Sequence, residues 1–150
     1  MTAEDCPSIP LRAGVKAGLC VGPFWAAANL AVEFLANNID FRAATHYVAD
    51  IPIPMIIFWM AGAIGGATIL LVVGLFFVKF REHIPGHTMT EKGMCAMLII
   101  WVFTELKITG DILRGTIPYN WTYLIAVMLT IISYTVTGAV LGCLVQKFAK

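Results

Sequence analysis

From Pro54 to Val78 the chain runs for twenty-five residues without one charged side chain. A helix that crosses the hydrocarbon core of a bilayer needs about 20 predominantly apolar residues, and few soluble folds tolerate a longer uncharged run. The segment ends in Lys79-Phe80-Arg81, a basic and aromatic stop of the kind found at a membrane surface. It predicts a spanning helix long enough to tilt.

The rest of the chain agrees. Charged residues make up 13% of the 150, against about 25% in a typical soluble domain. The mean hydropathy is +0.84. A chain this apolar cannot cover itself in water, so lipid is its expected solvent. The length allows one domain, residues 1–150. A net charge of +1, with no basic patch interleaved with aromatics, argues against a nucleic-acid partner.

Three further helices are expected. The first runs from about Leu11 to Leu35, with Ser8 as a cap and Pro10 suited to a first turn. Glu4 and Asp5 precede it where a signal peptide would be basic, so it reads as a retained span. The third runs from about Glu91 to Ile108. Thr88-Met89-Thr90-Glu91 fits a capping box there, but the fully apolar stretch, Met94 to Phe103, is short. A re-entrant or interfacial helix competes at this position. The fourth runs from Trp121 to Val145 behind an aromatic entry of Pro118, Tyr119, Trp121 and Tyr123.

Basic residues set the orientation. Arg12, Lys16, Lys79, Arg81, Lys92, Lys147 and Lys150 lie on one side, and Arg42, Lys107 and Arg114 on the other, among Asp40, Asp50, Glu105 and Asp111. The positive-inside rule then places both termini and the middle loop in the cytoplasm, with the cell membrane as the expected location.

Self-comparison points to a duplication. Ile9-Pro10 and Gly18-Leu19-Cys20 recur as Ile84-Pro85 and Gly93-Met94-Cys95, and Gly62-Ala63-Ile64-Gly65-Gly66 recurs as Gly138-Ala139-Val140-Leu141-Gly142. The offsets are 75, 75 and 76. Glu33 with Asp40-Phe41-Arg42 roughly matches Glu105 with Asp111-Ile112-Leu113-Arg114, with a gap. Two tandem helical hairpins follow, about 9–80 and 84–150, related by a pseudo-twofold axis along the membrane normal. Shared composition of glycine-rich helices is the competing explanation.

Gly14, Gly18 and Gly22 form a double GxxxG, and Gly62 with Gly66 and Gly138 with Gly142 repeat the spacing. In lipid, small residues let helices approach and gain dispersion contacts. These stripes are expected inside the bundle, or in one case against a second copy or another membrane protein. Asn29, Glu33 and Asn37 extend the first stripe along one face. With Glu105 they form the candidate polar or ion site. An intramembrane carboxylate is a functional candidate by default, but Glu33 and Glu105 lie near helix ends, where interfacial anchoring is the favoured reading over a binding or proton-relay role. One acid per repeat, brought together at the axis, would share a proton or a cation.

Weaker signals read as structural. Cys6, Cys20, Cys95 and Cys143 show no metal-ligand spacing. His83 and His87 are separated by Pro85 and Gly86, which rule out a shared helical face. Asn120-Trp121-Thr122 is formally a glycosylation sequon that abuts the membrane. Thr130, Ser133, Thr135 and Thr137 are expected to hydrogen-bond neighbouring helices or their own backbone. No nucleophile–base pair, phosphate loop or metal cluster is apparent, so neither catalysis nor a cofactor is expected. Two functions remain: a scaffold or accessory subunit of a membrane assembly, or a small oligomeric transporter or channel using Glu33 and Glu105.

Overall fold

The computed structural model describes residues 9–38, 55–113 and 121–150. The chain is all-helical, with four helices: α1 (Leu11–Asn38), α2 (Met55–Phe80), α3 (Met89–Leu113) and α4 (Trp121–Phe148). Three stretches are long and apolar enough to cross a membrane: Leu11–Val32, Met60–Phe80 and Val127–Phe148. Expectations for Cys6, Ser8, Asp40, Arg42, Asp50, Arg114, Pro118, Tyr119 and Asn120 fall outside the described residues.

Local chemistry sets the described helix ends. Ala13 donates its N–H to the Pro10 carbonyl at 2.9 Å, closing the first turn of α1. That helix then runs through Pro23, which removes one backbone hydrogen bond. Between α2 and α3 the chain turns at Gly86, whose φ of 133° suits a residue without Cβ. The capping box forms as its spacing implies. Glu91 N–H donates to Thr88 Oγ1 (3.1 Å), while the Glu91 carboxylate accepts from Thr88 N–H (3.3 Å) and His87 N–H (2.7 Å).

These two backbone bonds, His87 first, hold the Glu91 pKa below the ordinary carboxylate value. The cap is therefore complete at neutral pH and opens only as pH falls through that lowered value. Replacing Thr88 by Ala is expected to destabilise the start of α3 by about 1 kcal/mol, read as faster amide exchange over Met89–Lys92.

Packing is organised by glycine. In the first hairpin α1 runs antiparallel to α2, with Gly14 against Gly74, Gly18 against Leu70, and Gly22 against Gly66 and Ala67. In each case the neighbour is backbone, and a Cβ on the glycine would collide with it. Gly62 instead faces the Leu30 side chain. In the second hairpin Gly93 lies against Gly138, and Gly142 against Met89 and Thr90. Approach this close brings Cα–H groups onto carbonyl oxygens and adds dispersion, the forces that associate helices in lipid.

These contacts place the hairpins in a register different from the sequence offset. Met89 and Gly93 stand 75 residues after Gly14 and Gly18. Their partners, Gly142 and Gly138, stand 68 residues after Gly74 and Leu70, the partners of Gly14 and Gly18. The Gly62–Gly66 segment therefore does not occupy the place that Gly138–Gly142 occupies. The slip is eight residues, more than two turns. Chain length accounts for it: 16 residues separate α1 from α2 and only 7 separate α3 from α4.

The hairpins meet along α1 and α4, which form the central pair, with α2 against α1 and α3 against α4. α2 and α3 show no comparable approach among the described residues. Buried side chains from the four helices join in two clusters. Ala17, Phe77, Val78, Leu141 and Val145 form one, with Ile9, Ile84 and Met89 packed on it. Val21, Leu70, Met97 and Tyr134 form the other. Both lie toward the end of the bundle that carries Ile9, the α2–α3 turn and Lys150. The outer surface is apolar, with Phe24 77% and Phe103 71% exposed, as suits a lipid-facing belt.

Candidate functional site

The expected polar face begins at Asn29, which is half-buried on α1. Its amide Nδ2 donates to the Trp25 carbonyl one turn back, at 2.8 Å. Asn29 is thus satisfied within its own helix. Glu33 and Asn37 lie on the helical backbone of α1, and Glu105 on that of α3, but their side chains fall outside the described residues. α1 and α3 each pack on α4, with no extensive packing on one another among the described residues.

In the hydroxyl-rich α4, Thr130 and Thr135 bond within their own helix. Thr135 donates to the Ile131 carbonyl at 2.7 Å. Thr130 does two things at once, donating to the Val127 carbonyl (2.9 Å) and accepting from Trp101 Nε1 of α3 (3.2 Å). On the neighbouring helices Thr68 and Thr104 donate to Ile64 and Ile100 carbonyls. Such back-bonding removes the hydroxyl from lipid without requiring a partner helix.

A cleft between α1 and α4, about 610 Å³, departs from this pattern. Phe24, Trp25, Ser133, Thr137 and Val140 line it, together with the free thiol of Cys20. Trp25 meets Tyr134 edge-to-face, with centroids 5.7 Å apart, at the inner wall. Trp25 Nε1 and Ser133 Oγ are both buried and have no hydrogen-bond partner. Each such group costs about 1–3 kcal/mol when desolvated alone, so both stand out against the internally bonded hydroxyls. The hydroxyl pattern of α4 predicts a bond to a neighbouring helix or to the backbone for Ser133, and Ser133 makes neither. An indole one helical face from a GxxxG stripe was the signal available.

A second concavity, about 430 Å³, lies at the end of the bundle where Ile9, the α2–α3 turn and the last turn of α4 converge. Arg81, Glu82, His87, Lys92 and Lys150 line it. Arg81 is the best-held cation, its side chain 15% exposed. One guanidinium nitrogen donates to the Val78 carbonyl at 3.3 Å, and the other sits 3.5 Å from the exposed carboxylate of Glu82. Lys92 Nζ donates to the Arg81 carbonyl at 2.8 Å, bracing the turn. In the sequence Arg81, Lys92 and Lys150 orient the chain, and Arg81 also closes the second span.

Among the described residues, no three His, Cys, Asp or Glu side chains are grouped closely enough to hold a metal ion. His83 and His87 are both exposed on either side of Pro85-Gly86. No family model matches the chain, and no curated protein or solved structure matches it either.

Proposed function

We propose that this chain is a scaffold or accessory subunit of a membrane assembly, with no catalysis of its own, built from a duplicated helical hairpin. It resides in the cell membrane and crosses it four times, with both termini cytoplasmic. The observation that carries the reading is where the polar groups go. Asn29, the innermost residue of the expected polar face, closes on its own backbone, and Thr68, Thr104 and Thr135 do the same on the other three helices. Within each hairpin the glycine contacts leave backbone against backbone, without room for a solvated lining between α1 and α2 or between α3 and α4.

The fourth crossing is supported by α3 keeping company with α4. Their contacts run from Met89 opposite Gly142 to Trp101 opposite Thr130, over more than half of the α4 span. A helix lying in the interface would cross its neighbour, not follow it. The duplication is supported by the register of the contacts. Aligned at offset 68, Val72, Gly74, Lys79 and Phe80 of α2 match Val140, Gly142, Lys147 and Phe148 of α4. A twofold along the membrane normal would pair α2 with α3 as closely as α1 with α4, and the described helices do not pack that way, so the duplication is proposed for the hairpins and not for their arrangement about that axis.

The test is aqueous thiol labelling of single cysteines at Asn29, Glu33 and Glu105, in a background lacking Cys6, Cys20, Cys95 and Cys143, in native membranes. Labelling confined to the level of Glu33 and Glu105 is the expected result. Labelling that reaches Asn29 would reveal a wet cavity, overturn the scaffold reading and favour transport through an oligomer.

A further inference from the structure

The concavity at the basic end of the bundle has the chemistry of an anion site set at the membrane surface. It is lined by three cations, Arg81, Lys92 and Lys150, against one carboxylate, Glu82. The carboxylate is 71% exposed and touches the guanidinium only at 3.5 Å, so it screens Arg81 weakly. Arg81 itself is largely buried and anchored through Val78 O, which fixes its fork in place. A guanidinium has five N–H donors in a planar arrangement that matches phosphate oxygens, and this one has donors to spare. Lys92 is held beside it through the Arg81 carbonyl and can add a second positive contact.

The floor of the same concavity is apolar. Ile9 and Met89 line it and pack directly against the first core cluster. A free phosphate would gain nothing from that floor, whereas the glycerol and upper acyl carbons of a lipid would cover it. Depth agrees with a lipid. The uncharged run of α2 ends at Val78, and Lys79 lies over the Phe80 ring, 5.7 Å from its centroid, in the basic–aromatic pairing typical of the headgroup level. Arg81 follows at once. Basic pockets between helix ends at this level are suited to anionic headgroups.

We infer that the pocket formed by Arg81, Lys92 and Lys150 binds the phosphodiester headgroup of an anionic phospholipid. The site needs only the bundle and the membrane, and stands independently of the scaffold reading. The ligand's phosphate oxygens accept from Arg81 and Lys92, Lys150 closes over the outer side, and the glycerol backbone lies on Ile9 and Met89.

Native mass spectrometry of the full chain in detergent tests this, with dioleoyl phosphatidylglycerol and dioleoyl phosphatidylcholine added in turn. The expected result is one retained phosphatidylglycerol, bound more tightly than phosphatidylcholine and not displaced by excess inorganic phosphate. Arg81→Gln and Lys92→Gln should each weaken it about fivefold and together about 25-fold, as roughly 1 kcal/mol per basic residue near an anionic surface implies. Lys150→Gln, at an exposed position that cannot disturb the fold, should also cost about fivefold, and circular dichroism reports whether the double variant keeps its helices. Lys79→Gln, outside the pocket, should stay within about twofold. Equal binding of the two lipids would overturn the proposal. So would a Lys79→Gln loss as large as that of Lys150→Gln, which would indicate general surface charge. Displacement by inorganic phosphate would make this a site for the free anion instead.

Discussion

Replacing Gly18 by Leu is expected to lower the unfolding free energy of the bundle in bicelles by about 3 kcal/mol or more, the upper range for overpacking. A Cβ at Gly18 would fall on the Leu70 carbonyl, 2.6 Å from its carbon and 2.8 Å from Leu71 Cα. Backbone cannot rotate aside as a side chain can, so α1 and α2 must separate along their whole shared length. The same substitution at Gly65 is the control. Nothing lies within 4 Å of a Cβ built there, and Gly65→Leu should change stability by less than about 0.5 kcal/mol. The two variants add the same side chain to the same pair of helices. Steric trapping of the unfolded state would separate them. Equal losses would show that helix composition, not the Gly18–Leu70 contact, sets the stability.

Truncating Phe77 to Ala is the second large effect. Phe77 is 2% exposed at the junction of α2 with Ala17, Leu141 and Val145. In a soluble protein such a truncation costs about 3–5 kcal/mol, combining lost transfer from water with the cavity left behind. In lipid the unfolded reference is already apolar, so the transfer part largely vanishes. About 2 kcal/mol, the packing part alone, is the expected loss. The same assay in bicelles measures it. A loss at the soluble level would mean that this end of the core faces water when the helices separate.

The elements were legible in the sequence because lipid imposes one strong rule on the backbone, that every N–H and C=O be satisfied internally. The uncharged run of α2 therefore placed its helix within a residue or two of Met55–Phe80. The capping box at Thr88 and Glu91 marked the start of α3 equally well, because its hydrogen bonds are local. Pairing was less legible. Gly62 and Gly66 resemble Gly138 and Gly142, but spacing does not say which partner a stripe meets. Gly74 went unremarked because Leu70 interrupts its stripe, although it faces Gly14 directly. The eight-residue slip between the hairpins depends on the shorter α3–α4 connection, which no local pattern encodes. The expected polar face is a different case. Asn29 read as the inner end of a polar face, yet its own helix offered the nearest acceptor. The basic pocket was invisible because Arg81, Lys92 and Lys150 are scattered in the chain and converge only when the helix ends do.

The central pairing of α1 with α4 has a consequence for biosynthesis. Trp25 and its partner Tyr134 are separated by 109 positions in a chain of 150. A ribosome adding about 5–20 residues per second needs roughly 5 to 20 s to make that interval. During that time α1 and α2 can zip together, but Trp25 lacks Tyr134, and the face of α1 turned toward α4 must be sheltered by lipid or by the insertion machinery. The helix α1 is thus made before its central partner and completed only after it, and a ribosome stalled before α4 would leave behind a hairpin that is closed on one side and open on the other.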